Sequence, residues 1–554
     1  MPDILLIQPP IRDFYLTAKR TIPYGLACIA STLIKNGFSV EILDTLATSK
    51  SRACELPPEM DYLRKYYPRP DRSAFALFHQ YRHFGYSFEH IGKLAKASGA
   101  FLVGISSLFT PYLQDALQTA EIVKASHPQG KIVIGGHHPS SLPQSVMESK
   151  AVDFVIRGEG EVSLHLLAKA VKRGGAYDSI PGLVFRRKDG TLHINPPAGM
   201  KHPDDHPLPA TDLFHQNFYR RNKRAATVIV AGRGCPMTCT YCSVGASAYL
   251  NYRKRSVTSV IDEIQWNVNQ YDVGFIDFED ENLSLDRRWF LKLLAEIKCR
   301  FSTNELELRA MNGLYPPSID EEVIRSMQTA GFRTLNLSLG STSTEQLKRF
   351  NRSDVRAAFD RALKLAADYG LNAVGYVICA APFQRAEDSI SDLLYLAQRR
   401  VLAAVSIFYP APGSKDYDLC KNLGILPDHF SCMRSSALPL AHTTGRKEAV
   451  TVLRLARILN FMKSLIDQKI GIANDKSTGD IRITDPADRL ETSKRLLSKF
   501  LTDGKIRGVT PEGKVFEHLI SEELSHSFLT GLAAIDLRGS QQETDEIRPL
   551  VRFF

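Results

Sequence analysis

Three cysteines lie within eight residues in the stretch GRGCPMTCTYCSVG. Cys235, Cys239 and Cys242 have the spacing Cys-x3-Cys-x2-Cys. A structural zinc site closes with four ligands, and neither a second Cys-x2-Cys nor a His-x3-His lies nearby to complete one. Iron-sulfur clusters are also commonly held by four thiolates, so three thiolates leave one metal position open to a small molecule. The motif therefore favours an iron-sulfur cluster with an open site over structural zinc.

The other six of the nine cysteines do not form a second cluster. Several lie within apolar runs, so we expect buried thiols rather than a disulfide framework. These residues are Cys28, Cys54, Cys299, Cys379, Cys420 and Cys432.

An alternating series of strands and helices is predicted around the motif, over residues 223–415. Strands are predicted at 227–231, 273–278, 305–310, 334–339, 372–379 and 402–409. Six strands, each followed by a helix except the last, predict a partial barrel of βα units. The cysteine motif follows the first strand, at the edge where barrel enzymes place their chemistry.

The N-terminal part, residues 1–194, contains short unbroken apolar runs separated by helical patterns. Such runs predict a doubly wound, Rossmann-like parallel sheet covered on both faces, interrupted by an insertion at 49–98. Ligands of these sheets bind beyond the carboxyl ends of the strands. The residues at those ends are Pro9, Pro10, Ser106, Ser107, Gly135, Gly136, His137, His138, Gly158, Glu159 and Gly160. Four such loops favour a ligand, but the spaced glycines of a dinucleotide fingerprint are missing.

The remaining segments are a proline-containing linker at 195–222 and a mainly helical region at 416–554, with helices predicted near 448–468, 489–501 and 514–529. The net charge is +10, but lysine and arginine are spread along the chain, so a nucleic-acid partner is not favoured. The sequence contains neither a long uncharged apolar run nor a secretory leader pattern, and we expect a cytoplasmic protein without a membrane span.

The cysteine motif, with Tyr241 directly before its last cysteine, resembles the radical S-adenosylmethionine (SAM) enzyme family. In that family the open iron of a 4Fe-4S cluster binds the amino and carboxylate groups of SAM, and one-electron reduction yields a 5′-deoxyadenosyl radical. Gly340 departs from the pattern, because relatives usually have glutamate there. The resemblance implies SAM contacts at Tyr241, Asp280, Glu281, Arg309, Ser338 and Ser341.

Four N-terminal stretches resemble the cobalamin-binding domain of the B12-dependent radical SAM subfamily: HFGYSFEHI, GISSLFTP, IGGHHPS and FVIRGEGE. The resemblance implies cobalamin as a further cofactor and places it against the strand-end residues given above. The signature Asp-x-His-x-x-Gly is missing, which implies that no histidine binds below the cobalt.

The resemblance implies a methyltransferase in which methylcobalamin passes a methyl group to a carbon made radical by the deoxyadenosyl species. A small-molecule substrate and an electron donor such as flavodoxin or ferredoxin are implied as partners. Cyclisation or ring rearrangement is an alternative, and a non-catalytic cobalamin or redox sensor is another. A methylthio-transferring tRNA enzyme is disfavoured, because the N-terminal region has only Cys28 and Cys54 rather than a further cysteine trio.

The insertion and the C-terminal region are expected to set the identity of the substrate. Seven aromatic residues of the insertion are more readily explained by packing than by a substrate box. They are Tyr66, Tyr67, Phe75, Phe78, Tyr81, Phe84 and Tyr86.

Overall fold

The computed structural model describes residues 1–16, 22–245, 251–302, 305–471 and 485–541. In the N-terminal part the strands are β1 (Ile4–Gln8), β2 (Ile11–Asp13), β3 (Val40–Asp44), β4 (Ser51–Ala53), β5 (Arg82–Phe84), β6 (Leu102–Ser106), β7 (Lys131–Gly135), β8 (Phe154–Ile156), β9 (Leu183–Arg186) and β10 (Leu192–Ile194). The helices are α1 (Tyr24–Lys35), α2 (Phe88–Ser98), α3 (Leu113–Ser126), α4 (His137–Ser141), α5 (Pro143–Met147) and α6 (Gly160–Arg173).

The main N-terminal sheet has the strand order β10-β9-β8-β7-β6-β1-β3. The five strands from β8 to β3 are parallel, which confirms the predicted doubly wound sheet. Along β1, Ile4 and Leu6 pack with α1 and α6, whereas Leu5 and Ile7 pack with α2 and α3. Both faces are therefore covered, which is why β1 reads as a continuous apolar run. The antiparallel hairpin β9-β10 was not predicted, although an Asp-Gly pair marks its turn.

The insertion supplies β4 and β5, which form a small antiparallel sheet with β2, and it contains a 3₁₀ helix at Pro58–Lys65. Its aromatic side chains Tyr66, Tyr67, Phe75 and Tyr81 are buried in a core shared with the barrel and the C-terminal helices. These four aromatics therefore pack, as the sequence interpretation favoured.

The second part of the chain contains β11 (Arg220–Arg221), β12 (Arg224–Ile229), β13 (Gly232–Arg233), β14 (Arg253–Lys254), β15 (Val273–Phe278), β16 (Glu307–Arg309), β17 (Thr334–Gly340), β18 (Asn372–Cys379) and β19 (Leu402–Ile407). Its helices are α7 (Val257–Tyr271), α8 (Arg287–Arg300), α9 (Glu321–Ala330), α10 (Thr344–Arg349), α11 (Arg356–Asp368) and α12 (Ala386–Ala397).

The six predicted barrel strands are present as two parallel three-stranded groups, β12-β15-β16 and β17-β18-β19. Single bridges from Leu308 to Phe332 and from Leu314 to Leu337 connect the groups. The expected partial barrel is therefore confirmed, with β19 at one end of its group.

The C-terminal part contains α13 (Lys415–Asn422), α14 (Arg446–Asp467), α15 (Arg489–Asp503), β20 (Arg507–Val509), β21 (Val515–Glu517) and α16 (Glu522–Ala533). Two of its three predicted helices match α14 and α15. The helix predicted at 514–529 is wrong in its first half, because those residues form β21 and α16 begins only after the Ser521 cap. None of the helices in the described ranges is long and apolar enough to cross a membrane.

Candidate active site

The cysteine loop begins after β12 and is held at its base by the short hairpin β13-β14. Gly245 closes the loop, because a Cβ at this position would collide with the carbonyl oxygen of Met237. Thr240 fixes the middle, since its N–H donates to the Phe350 carbonyl at 3.0 Å and its hydroxyl donates to Asp416 at 3.1 Å. The loop is thus tied to the barrel edge and to α13.

All three motif cysteines line one cavity of about 480 Å³ at the C-terminal edge of the barrel strands. Within the described residues, no three His, Cys, Asp or Glu side chains come together as a single metal ion requires. Burial raises the pKa of Cys235 and of Cys242, although backbone N–H groups near Cys242 oppose the shift. Three thiols spread around one cavity fit a polynuclear cluster, in which each thiolate binds a different iron, better than zinc.

Arg352 is a cavity residue that no sequence motif marked. Its guanidinium donates to the Tyr241 hydroxyl at 2.7 Å and to the Ser338 Oγ at 2.9 Å, and its Nε is buried without a hydrogen-bond partner in the described chain. Tyr241 also packs edge-on against Phe350 with ring centroids 5.0 Å apart. Arg352 therefore brings a partly buried positive charge to the cavity beside the cysteine loop.

Gly340 explains how Arg352 fits. Gly340 has φ +85°, and a Cβ there would lie 3.3 Å from the Cδ and Nε of Arg352. A glutamate at this position would strain the backbone and displace the arginine side chain. The sequence departure at Gly340 thus accompanies an arginine that occupies the same space.

The two predicted acidic SAM contacts have different surroundings. Glu281 lines the cavity, and its Oε2 is buried without a partner in the described chain. Burial and the neighbouring Asp280 raise the pKa of Glu281. Asp280 lies behind the cavity, where it pairs with Lys254 at 3.0 Å and accepts from the Ala231 N–H at 2.9 Å. Glu281 is therefore available to bind a ligand, whereas Asp280 is bound to Lys254 of the hairpin β13-β14.

The predicted SAM contacts Ser338, Ser341 and Arg309 also differ in their surroundings. Ser338 lines the cavity and accepts from Arg352. Ser341 is fully buried and donates to Asp392, a carboxyl whose pKa burial raises to about 6. Arg309 ends β16 with a partly exposed side chain that pairs with Asp277 at 2.6 Å. Neither Ser341 nor Arg309 lines the cavity, and each side chain is instead bound to a carboxylate.

The predicted cobalamin loops meet at the carboxyl edge of the N-terminal sheet. Ser107 is buried, and its hydroxyl has no hydrogen-bond partner in the described chain. A Cβ on Gly135 would meet only the Ile156 carbonyl, at 3.7 Å, so open space adjoins this glycine. Ser106 ends β6, and Pro9 and Pro10 are buried directly after β1. The unpartnered hydroxyl of Ser107 and the open space at Gly135 are two features of this edge that a polar ligand would complete.

Glu159 makes a contact that the sequence interpretation missed. Its buried carboxylate pairs with Arg233 at 3.0 Å and with Arg253 at 2.9 Å, and it accepts from the Met200 N–H. Both arginines belong to the hairpin that holds the cysteine loop. Glu159 therefore fixes the N-terminal domain to the base of the cysteine loop, which differs from the predicted role as a ligand contact.

The neighbouring glycines of this loop pack against protein. A Cβ on Gly160 would approach Ile29 of α1 to 2.7 Å, and the Gly158 N–H donates to the Ser140 hydroxyl oxygen at 2.9 Å. Gly136 follows the same pattern, since a Cβ there would collide with the Ser107 carbonyl.

The paired histidines have opposite surroundings. His137 is exposed at the start of α4. His138 is 1% exposed, with ring nitrogens 3.2 Å from the Thr110 hydroxyl and 3.0 Å from the Ser145 hydroxyl. Burial lowers the pKa of His138 to about 4. His138 is thus a neutral core residue.

The cysteines outside the motif are free thiols with mixed exposure. Cys379, Cys420 and Cys432 are buried, as expected. Cys299 is exposed at the end of α8, so the prediction of a buried thiol is wrong there.

Two family models match the chain. The model of the radical SAM superfamily matches residues 229–392, and the model of the B12 binding domain matches residues 77–168. The chain is a radical SAM protein with a B12-binding domain. In this radical SAM protein the matched segments contain the three cysteines and the loops after β6, β7 and β8.

Curated relatives cover most of this radical SAM protein. It is 25% identical over 430 residues to the uncharacterized methyltransferase PH0819 of Pyrococcus horikoshii, which covers 76% of this chain and 84% of the relative. It is 24% identical over 473 residues to the cytidylyl-2-hydroxyethylphosphonate methyltransferase of Streptomyces wedmorensis, with 78% of this chain and 84% of the relative covered.

A solved structure shares the fold. The cobalamin-dependent SAM radical enzyme OxsB, with aqua-cobalamin and SAM bound, aligns with a TM-score of 0.64 at 14% identity, covering 96% of this chain and 79% of that chain. The likeness extends over the N-terminal sheet, the barrel and the C-terminal helices together.

Proposed function

We propose that this radical SAM protein is a cobalamin-dependent methyltransferase that methylates an unactivated carbon of a small molecule. The observation that supports it best is the cavity lined by Cys235, Cys239 and Cys242 at the barrel edge. The hairpin at the base of this cysteine loop is joined to the B12-binding domain by the ion pairs of Glu159. When bound, the cluster, SAM and cobalamin would supply a radical and a methyl donor. The protein residues bind these groups, orient them and exclude water.

The cavity residues fit SAM at both of its charged groups. Glu281 has an unpartnered buried carboxylate oxygen that suits the ammonium group, because a carboxylate beside a cationic amine forms a strong hydrogen bond. Arg352 carries an unpartnered buried Nε that suits the carboxylate. The two residues line the same cavity as the cysteines. We assign Tyr241 and Ser338 to positioning Arg352, since both accept its hydrogen bonds.

The N-terminal loops fit cobalamin less completely. We propose that Ser107 and the open side of Gly135 contact it, with Pro9, Pro10 and Ser106 at the same edge. Glu159 has a different role in this proposal. By pairing with Arg233 and Arg253, it sets the spacing between the B12-binding loops and the cysteine loop.

Methyl transfer is favoured over cyclisation because both relatives that share 84% of their own length with this chain are named methyltransferases. The sensor alternative predicts that SAM is not cleaved. The domain limits 1–194, 195–222, 223–415 and 416–554 are part of the proposal.

The test is anaerobic reconstitution of the full-length chain with iron, sulfide and hydroxocobalamin. We expect iron-sulfur absorbance, 5′-deoxyadenosine formation under reduction, and radiolabel from the SAM methyl group in the corrinoid fraction. Cys239→Ala should lose the absorbance and 5′-deoxyadenosine but still bind cobalamin. Cys299→Ala is the matched control, because this exposed thiol lies outside the motif. Cleavage retained in Cys239→Ala, or absent from the reconstituted parent, would contradict the proposal.

A further inference from the structure

A second cavity, of about 680 Å³, lies along β19 on the side away from β18. It is lined by residues of the insertion, by α14 and by the middle of β19. β19 is the last strand of its group, and its described sheet contacts are with β18 only. The cavity therefore lies at the open side of the partial barrel.

The cavity adjoins the cysteine cavity along the same strand. Ser406 lines the cysteine cavity, and Ala404 lines the second one. Two residues of a strand span about 6.6 Å, and their side chains point to the same face. A molecule in the second cavity could therefore extend along β19 toward the cysteine cavity.

The backbone of β19 offers polar groups to an occupant. The Asn460 side chain binds both the N–H and the carbonyl of Ala403, at 2.9 and 2.8 Å, and the Ser435 hydroxyl donates to the Ile407 carbonyl at 2.7 Å. These contacts show that alternate peptide groups of β19 face away from β18. Val405 lies between them, so its N–H and carbonyl face the same way, toward the cavity that Val405 lines.

The opposite wall is aromatic. Tyr15 and Phe78 stack with ring centroids 5.2 Å apart and planes 9° apart, and Phe14 lies 5.6 Å from Phe78. Leu77 and Leu453 extend this apolar surface. A flat apolar molecule would pack against this wall and exclude water from it, whereas a strongly hydrated molecule would not.

The charge of the cavity is positive. Arg457 of α14 and Arg82 of β5 line it, and the described residues that form its wall include no carboxylate. The Arg82 guanidinium already donates to the carbonyl and hydroxyl oxygens of Ser51. Arg457 is exposed to solvent at the cavity. Partial desolvation and the nearby Arg489 lower its pKa. A negatively charged group bound there would pair with Arg457 and offset its repulsion from Arg489.

We propose that this cavity binds the substrate, and that the substrate is an aromatic or similarly flat apolar molecule with one anionic group. The anion binds Arg457, the flat body packs on Phe78 and Tyr15, and the reactive end extends past Ala404 toward the cysteine cavity. The assignment of the occupant as substrate rests on the proposed function.

The test uses calorimetric titration of the full-length chain with 2-naphthoate, 2-naphthyl phosphate and uncharged 2-naphthamide. We expect at least one anion to bind up to about fivefold more tightly than the amide, since an ion pair with an exposed arginine has an effect of this size. Arg457→Gln should abolish the preference and leave amide binding unchanged. Phe78→Leu should weaken all three probes. Arg325→Gln, an exposed arginine of α9, is the control.

Equal binding of the anions and the amide, an anion preference retained in Arg457→Gln, or no binding of any probe would each overturn the proposal. These outcomes are independent of SAM cleavage, which is measured as 5′-deoxyadenosine without a substrate. Failure of the titration with intact cleavage therefore rejects the substrate cavity alone. Loss of cleavage with intact titration rejects the proposed function instead.

Discussion

Lys254 and Asp280 form a buried ion pair of 3.0 Å directly behind the cysteine loop. The lysine also lies over the ring of Trp289, 4.6 Å from its centroid. Because Asp280 accepts from the Ala231 N–H as well, the pair joins the end of β12 to the hairpin β13-β14. Asp280 is next to Glu281 in sequence, yet Asp280 forms a structural ion pair whereas Glu281 lines the cysteine cavity.

Replacing Asp280 should therefore destabilise the protein. Asp280→Asn leaves Lys254 buried without a counter-charge, and removal of one partner of a buried pair costs about 3–5 kcal/mol. The free energy of unfolding from urea titration measures the loss. Lys254→Met in the Asp280→Asn background should recover much of it. The variant Asp61→Asn, at an exposed ion pair with Arg64, should change stability by less than about 1 kcal/mol. An Asp280→Asn protein of unchanged stability but weak SAM binding would favour the direct contact instead.

Arg352 should matter for SAM affinity rather than for the cluster. Arg352→Met removes charge-assisted hydrogen bonds worth about 1.5–3 kcal/mol each, so we expect SAM to bind about 10- to 100-fold more weakly. Iron and sulfide content after reconstitution should remain that of the parent. Equilibrium dialysis with labelled SAM measures the affinity, and Arg356→Met on the surface is the control. Unchanged affinity would show that Arg352 only packs over Gly340.

His138 should make the fold sensitive to acid. Its folded pKa of about 4 lies below the unfolded value of about 6.5, so the unfolded state binds more protons between these pH values. The His138 contribution is present above pH 6.5 and is lost as the pH falls toward 4, by about 3 kcal/mol in total.

His138→Gln isolates this contribution, since other titrating groups cancel in the difference between parent and variant. The parent-minus-variant free energy of unfolding should be constant above pH 6.5 and fall below it. Exposed His202→Gln should show no such trend. A difference that does not depend on pH would show that His138 is not neutral in the folded protein.

Sequence patterns predicted the elements better than the directions of side chains. The parallel strands are covered on both faces and are therefore continuous apolar runs in the sequence. For this reason all six barrel strands could be predicted. Glu281 and Asp280 could both be placed at the barrel edge, but their directions depend on an irregular loop after β15. Arg352 comes from a loop twelve residues beyond Gly340, and no motif connects these positions before the chain folds.

Contacts between residues far apart in the chain could not be predicted from the sequence either. The turn that contains Glu159 is suited to ligand binding, so the sequence favours a ligand contact there. Only the folded chain shows that Glu159 pairs with Arg233 and Arg253 instead. Arg454 lies within the amphipathic α14 and would be expected at the surface. It is instead 1% exposed, because the insertion covers it.

Arg454 should hold the insertion in place. It donates to the carbonyls of Tyr66 and Phe75, at 3.0 and 3.3 Å, and thereby links the insertion to α14. Arg454→Met leaves these two carbonyls buried without partners, at a cost of about 1–3 kcal/mol each. Amide hydrogen exchange over residues 58–78 should therefore accelerate, while exchange in β1 and β6 remains slow. Naphthoate binding should weaken as well, because Phe78 belongs to the same segment. Equal acceleration throughout the chain would show that Arg454 supports the whole fold rather than the insertion.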